Sequence, residues 1–168
     1  MDDIIIRGGL VVDGSGEPGF RADVAVKDGR IRAIGDLSGE KAARELDASG
    51  LVVAPGFFDA HCHSDTTFLL DSSGAAKLYQ GVTTEVCGQC GFSPFPALPE
   101  HLAEVDPGEG VDQSWYCASF RDFAKKVEDG GWQMGVNLAP LTGHGSLRAG
   151  VLGYANRAVT DEELRSMQ

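Results

Sequence analysis

The segment Pro55–Asp65, PGFFDAHCHSD, constrains this chain more than any other, because it sets His61 and His63 two residues apart just behind the apolar run Leu51-Val52-Val53-Ala54. Along an extended strand, residues i and i+2 project to the same face. Two imidazoles presented together at a strand end make half of a metal site, and neutral imidazole is a preferred zinc ligand. Two histidines satisfied by local hydrogen bonds would read the same way, so the spacing alone leaves both possibilities open.

The hydrophobic pattern changes on either side of this segment. Before it, Ile4-Ile5-Ile6 and Leu10-Val11-Val12 flank Gly8-Gly9, and residues 13–19 are rich in turn formers. Val24 and Val26 alternate with polar neighbours, and Asp28-Gly29 precedes Ile31, Ala33 and Ile34. An Asp-Gly pair between alternating runs is the strongest short-range hairpin signal. Glu45-Leu46-Asp47 and Leu51-Val52-Val53 flank another turn, Ala48-Ser49-Gly50. Residues 1–54 therefore read as a small, sandwich-like all-β unit.

Residues 55–168 read instead as alternating strand and helix. Gly56–His61 is a strand, Thr67–Tyr79 has helical spacing, and Val82–Val86 is a strand again. Pro94–Trp115 is an excursion with weak periodicity, read as a long loop. Ser119–Asp129 forms a helix with Phe120, Phe123, Ala124 and Val127 on one face, stopped by Gly130-Gly131 ahead of a third strand, Trp132–Leu138. This alternation argues for an α/β fold with a parallel sheet and crossover helices. Thr160-Asp161-Glu162-Glu163 has capping-box form and announces a last helix, which Gln168 cuts off without a stop signal; truncation is the expected explanation.

At 168 residues the chain suffices for one domain or for pieces of two. A net charge of −11 with no basic stripe argues against a nucleic-acid partner. Met1-Asp2-Asp3 is acidic where a signal peptide needs positive charge, and no apolar stretch reaches the roughly 18 residues of a membrane span. The four cysteines then read as free thiols or ligands, and a cytoplasmic location without membrane contact is expected.

Cys87 and Cys90 form a C-x2-C. A redox pair normally opens a helix, whereas here Val86 closes a strand and Gly88, Gly91 and Pro94 follow. A structural zinc site needs two further ligands, and His61-x-His63 is closer-spaced than the usual pair. Cys87 is expected to pack and to remain unbonded to Cys90, and Cys62 to face away from its histidine neighbours into the core. Asp65 either orients a histidine or caps the helix that follows. Asp59 is expected in a solvent or loop role, Arg148 in an ordinary ion pair and His101 at the surface.

These blocks carry a family resemblance. PGFFDAHCHSD resembles the first-strand signature of the amidohydrolase superfamily, metal-dependent hydrolases built on a (β/α)8 barrel. Residues 81–93, GVTTEVCGQCGFS, are similar to the GVTT…GNCG…S stretch of its D-aminoacylase (N-acyl-D-amino-acid deacylase) branch, with Gln89 where the branch usually has Asn. Gly143-His144-Gly145-Ser146-Leu147-Arg148 with Val151-Leu152-Gly153 is similar to that branch as well.

The resemblance implies zinc as cofactor, with His61 and His63 as ligands on the first barrel strand and Cys90 supplying a thiolate from just past the second. It implies hydrolysis of the amide bond of a small-molecule N-acyl-D-amino acid. Two more histidine ligands and an aspartate acting as general base are expected beyond Gln168. His144 falls on the catalytic face, where it touches substrate or shapes a loop. A complete barrel needs roughly 250 residues. The chain is thus expected to hold the all-β unit and the first three βα units of an incomplete barrel, inactive alone and open to self-association through an exposed strand edge. The rival expectations are a hydantoinase-like cyclic amidase and a non-catalytic pseudo-enzyme or scaffold subunit.

Overall fold

Asp28 and Gly29 both adopt left-handed backbone, with φ of 51° and 70°. A tight two-residue hairpin turn demands this geometry and Asp-Gly readily supplies it. The turn joins β2 (Phe20–Lys27) to β3 (Arg30–Gly35). The structure, a computed structural model, describes residues 1–97 and 112–168, and the chain divides into two units, Met1–Pro55 and Gly56–Gln168.

In the first unit β1 (Asp2–Val11) is central. The sheet order is β3-β2-β1-β4, where β4 is Ala42–Asp47, and β5 (Val52–Val53) also pairs with β1. β1 runs antiparallel to β2, with Ile4 opposite Val26, and parallel to β4 and β5, with Ile5 opposite Glu45 and Leu10 opposite Val52. The apolar runs on either side of Gly8-Gly9 belong to one strand. A register shift between Ile6 and Gly9 carries the pairing through, with Gly8 at φ 65°. A Cβ on Gly9 would stand 2.5 Å from Val53 Cγ2, so the close approach of β5 requires glycine there. Among residues 1–55 the strands form one layer, its core built on Ile5, Ala25 and Leu37. Arg7 ties the layer together through Asp23, Glu45 and the carbonyls of Leu37 and Glu40.

The second unit is built on three parallel strands in the order β6 (Phe57–Asp59), β7 (Val82–Glu85) and β8 (Asn137–Leu138). Asp59 lies opposite Glu85, which lies opposite Leu138. Helix α1 (Ala75–Leu78) falls between β6 and β7, and α2 (Phe120–Asp129) between β7 and β8. Ser119 caps α2 by accepting the Asp122 N–H at 3.2 Å, and the helix buries Phe123. Phe68, Phe95, Cys117 and Phe123 form the core. Phe68 meets Trp115 and Trp132 edge-on at 5.9 Å, a favourable aromatic geometry. Both described ends of the 94–115 excursion therefore belong to the core, through Phe95 and Trp115, while His101 lies outside the described residues.

Three expected elements come out differently. The first strand of this unit stops at Asp59, so His61 and His63 lie on the segment that follows it, although the Cys62 N–H still reaches Val86 O at 3.3 Å. The helical spacing of 67–79 breaks into a 3-10 turn, Thr67–Leu69, and the short α1. Asp71 Oδ1 accepts the Ser73 N–H at 3.0 Å and Gly74 turns left-handed at φ 57°, so local side-chain bonding outcompetes the helix. The third strand is only Asn137–Leu138. Ahead of it, the Gly135 N–H is drawn to Ser72 O at 2.9 Å instead of to a neighbouring strand.

Two helices complete the described chain, α3 (His144–Leu152) and α4 (Asp161–Ser166). The Thr160 capping box forms in both directions: Thr160 Oγ1 accepts the Glu163 N–H at 3.2 Å, and Glu163 Oε2 accepts the Thr160 N–H at 2.8 Å. Replacing Thr160 with Ala is expected to speed amide exchange in the first turn of α4 on the order of fivefold, the effect of losing one cap. Exchange measured residue by residue by NMR checks it, and unchanged protection would contradict it. No helix among the described residues is long and apolar enough to cross a membrane.

Candidate metal centre

His61 and His63 follow the C-terminal end of β6, and Cys90 lies in the turn that follows β7. The neighbouring parallel strands deliver all three to one place. Cys90 Sγ is 3.4 Å from His61 Nε2, and the two imidazole centroids are 5.6 Å apart with planes at 60°. One ligand atom from each residue lies within 4.8 Å of the other two, and all three side chains are exposed. Asp59, Cys62 and Glu85 form a second such cluster, but Lys77 already pairs with both of its carboxylates.

The turn carrying Cys90 is conformationally demanding. Cys90 has φ 54°, between Gly88 at 78° and Gly91 at 84°. A left-handed non-glycine residue costs of order 1–3 kcal/mol and persists only where its surroundings enforce it. Those surroundings are the segment leading into α3. A Cβ on Gly88 would come within 2.1 Å of Leu141 O, and one on Gly143 within 2.4 Å of the Gly91 backbone. Ser93 and Ser146 stitch the same contact: the Ser93 N–H donates to Ser146 Oγ at 2.9 Å, Ser146 Oγ–H donates to Ser93 O at 2.9 Å, and the Gly143 N–H donates to Ser93 Oγ at 2.9 Å. The glycines of Gly143-His144-Gly145-Ser146 thus let the start of α3 lie against the Cys90 turn.

His144 is the exposed first residue of α3 and is not among the clustered ligand atoms. Where an ion pair is expected of Arg148, its described partners are the carbonyls of Ala155 and Arg157, at 2.8 and 2.7 Å. Asp59 accepts the backbone N–H of His61 at 3.2 Å through Oδ1 and pairs with Lys77 through Oδ2. Hydrogen bonding to Lys77 holds the Asp59 carboxyl below its usual range, and Asp59 with Glu85 pushes the Lys77 ammonium up to about 12.

Asp65 does not cap the turn that follows, whose N-cap is Thr66. Burial raises its carboxyl, against the lowering influence of the Gly88 N–H and of His63. Its Oδ1 is buried with no hydrogen-bond partner among the described residues. Lys77 leaves no periodic or spacing signal in the sequence, and Ser93 and Ser146 stand there in two separate motif blocks with nothing to show that they meet.

The four cysteines carry free thiols. Cys62 is buried with Sγ 3.5 Å from Val86 O, and burial pushes the Cys87 thiol up to about 12. Cys117 is buried too, leaving Cys90 as the exposed thiol. A disulfide-exchange reagent is expected to modify one thiol fast and three slowly, with zinc slowing the fast one. Several equally fast thiols, or a fast thiol indifferent to zinc, would contradict this arrangement.

Residues 44–163 match the amidohydrolase family. The chain is 42% identical to a D-aminoacylase of Alcaligenes xylosoxydans xylosoxydans and 37% identical to that organism's N-acyl-D-aspartate deacylase. Each similarity covers 99% of this chain, and 34% and 33% of the respective relative. The chain thus spans about a third of the length of these curated relatives. The fold also matches the crystal structure of an N-acyl-D-glutamate deacylase from Bordetella bronchiseptica, solved with zinc and a phosphonate that mimics the tetrahedral intermediate of its reaction. The TM-score there is 0.85 at 37% identity, covering 99% of this chain and 34% of that one. The motif around His61 and His63, the Cys90 turn beside it and the family match across most of the sequence agree: this chain belongs to the amidohydrolase family.

Proposed function

We propose that this chain contributes the first part of the metal centre of a zinc-dependent enzyme that hydrolyses N-acyl-D-amino acids to a carboxylate and a free D-amino acid. The observation that carries the proposal is the convergence of two imidazoles and one thiol at the C-terminal ends of adjacent parallel strands. The donor set fits zinc, which takes nitrogen and sulfur ligands together. His61, His63 and Cys90 would hold the ion, and Asp65, which lies within electrostatic reach of His63, would help orient it, as metal-bound imidazoles generally require. A zinc ion held there supplies Lewis acidity toward the scissile amide carbonyl and toward the attacking water.

The chain's own residues bind and orient in this scheme. Cys90, as thiolate, adds a negative charge to the centre, while the Gly88–Ser93 turn and α3 keep it facing His61. We read β6, β7 and β8 as the first strands of a (β/α)8 barrel, whose catalytic residues collect at the C-terminal ends of the strands. No carboxylate joins the three clustered ligands among the described residues. The general-base aspartate and the remaining histidines are assigned to strands that these 168 residues do not contain. The similarity to deacylases of N-acyl-D-amino acids supports the substrate class.

The test is hydrolysis of N-acyl-D-amino acids against their L-enantiomers by the protein as made in its native source. D-selective release of the amino acid supports the proposal, and release from neither enantiomer overturns it. The 168-residue chain by itself is expected to show no turnover with added zinc. A rate of about 1 s⁻¹ or more, ordinary for an enzyme, would show that these residues already hold the complete machinery.

A further inference from the structure

We infer that Gln89 is a positioning residue that sets the spacing between His61 and Cys90, an inference that rests on the metal-site reading above. The peptide group between Ala60 and His61 is held at both of its polar ends by side chains. Its carbonyl, Ala60 O, accepts a hydrogen bond from Gln89 Nε2 at 3.1 Å. Its N–H, on His61, donates to Asp59 Oδ1 at 3.2 Å. Asp59 is itself fixed by Lys77, whose Nζ also lies 3.1 Å from Oε1 of the buried Glu85.

Gln89 immediately precedes Cys90 in the chain, so its carboxamide is a short brace from the turn that carries the thiol to the peptide that carries the imidazole. A second, longer contact from Nε2 to Val86 O, at 3.4 Å, anchors the brace to the end of β7. With the Cys90 backbone left-handed, the thiol direction depends on how that turn is held. Ligands held slightly out of place bind metal poorly even when all of them are present. The Asp59–Lys77 pair orients one end of the shared peptide, and Gln89 couples the other end to the cysteine.

The test uses Gln89→Leu, which keeps the bulk and removes the donor, and Gln89→Glu, which keeps the shape and sets an acceptor against two carbonyls. Each is titrated with zinc by calorimetry and with cobalt(II) by absorption, alongside circular dichroism and thermal melting. Zinc affinity is expected to fall about 10–100-fold, the usual effect of losing an outer hydrogen-bond partner. The thiolate-to-cobalt charge-transfer band is expected to weaken relative to the visible ligand-field bands, with the circular dichroism spectrum and melting midpoint unchanged. A purely structural glutamine would shift the melt and leave that ratio of bands alone. Either variant retaining native affinity and native band ratio would overturn the inference, as would a loss of affinity that merely follows unfolding. If the native chain itself gives no charge-transfer band, the metal-site reading fails and this inference with it. A native band with unaltered variants refutes the role of Gln89 alone.

Discussion

Replacing Cys90 with Ser is expected to lower zinc affinity by more than about 100-fold, beyond the range seen when only an outer partner of a ligand is lost. Serine preserves the size and left-handed placement of residue 90 but offers a hydroxyl, neutral at pH 7, where zinc prefers the charged and more polarizable thiolate. The cluster then keeps only His61 and His63 of the three side chains that converge. His61→Ala is expected to act as strongly, since it removes the nitrogen that lies 3.4 Å from Cys90 Sγ. Because both side chains are exposed, neither change should unfold the protein. Calorimetric zinc titration with circular dichroism as the fold control checks this, and near-native affinity in Cys90→Ser would contradict it.

Replacing Phe95 with Ala is expected to destabilise the second unit by about 3–5 kcal/mol, the usual result of emptying a buried aromatic site. Phe95 is 1% exposed, and its ring lies 5.3 Å from those of both Phe120 and Phe123. Its loss opens the core beneath α2 at the place where the chain leaves the Cys90 turn. Urea denaturation followed by tryptophan fluorescence checks it, because Trp115 and Trp132 report on the same cluster. A change of less than about 1 kcal/mol, within the range of an ordinary surface or tolerated substitution, would show that residues around Phe95 collapse to fill the gap.

The two substitutions separate what is legible in the sequence from what is not. Signals that act within a few residues read directly: the Asp28-Gly29 hairpin, the Ser119 cap of α2 and the Thr160 capping box each need only their neighbours. The convergence of His61, His63 and Cys90 is legible because parallel strands in chain order put their following segments side by side. The helix expected over 67–79 is not, because Asp71, Ser73 and Gly74 compete with it through local bonds that hydrophobic spacing does not register. Nor is the burial of Phe95, since nothing near residue 95 indicates that Phe68 and Phe123 will close around it. Gln89 reads only as a departure from a familiar motif, and its hydrogen bond to Ala60 crosses between two strand ends. The pairing of Ser93 with Ser146 likewise spans 53 residues of sequence.

Zinc-edge X-ray absorption on the chain loaded with less than one equivalent of zinc decides whether His61, His63 and Cys90 share one ion. A shared site gives a first shell containing one sulfur at about 2.3 Å together with nitrogen or oxygen at about 2.0–2.1 Å. The sulfur is expected to disappear in Cys90→Ser. A native first shell without sulfur, or one with two sulfurs drawn from Cys87 and Cys90, would contradict the assignment of His61, His63 and Cys90 to a common site.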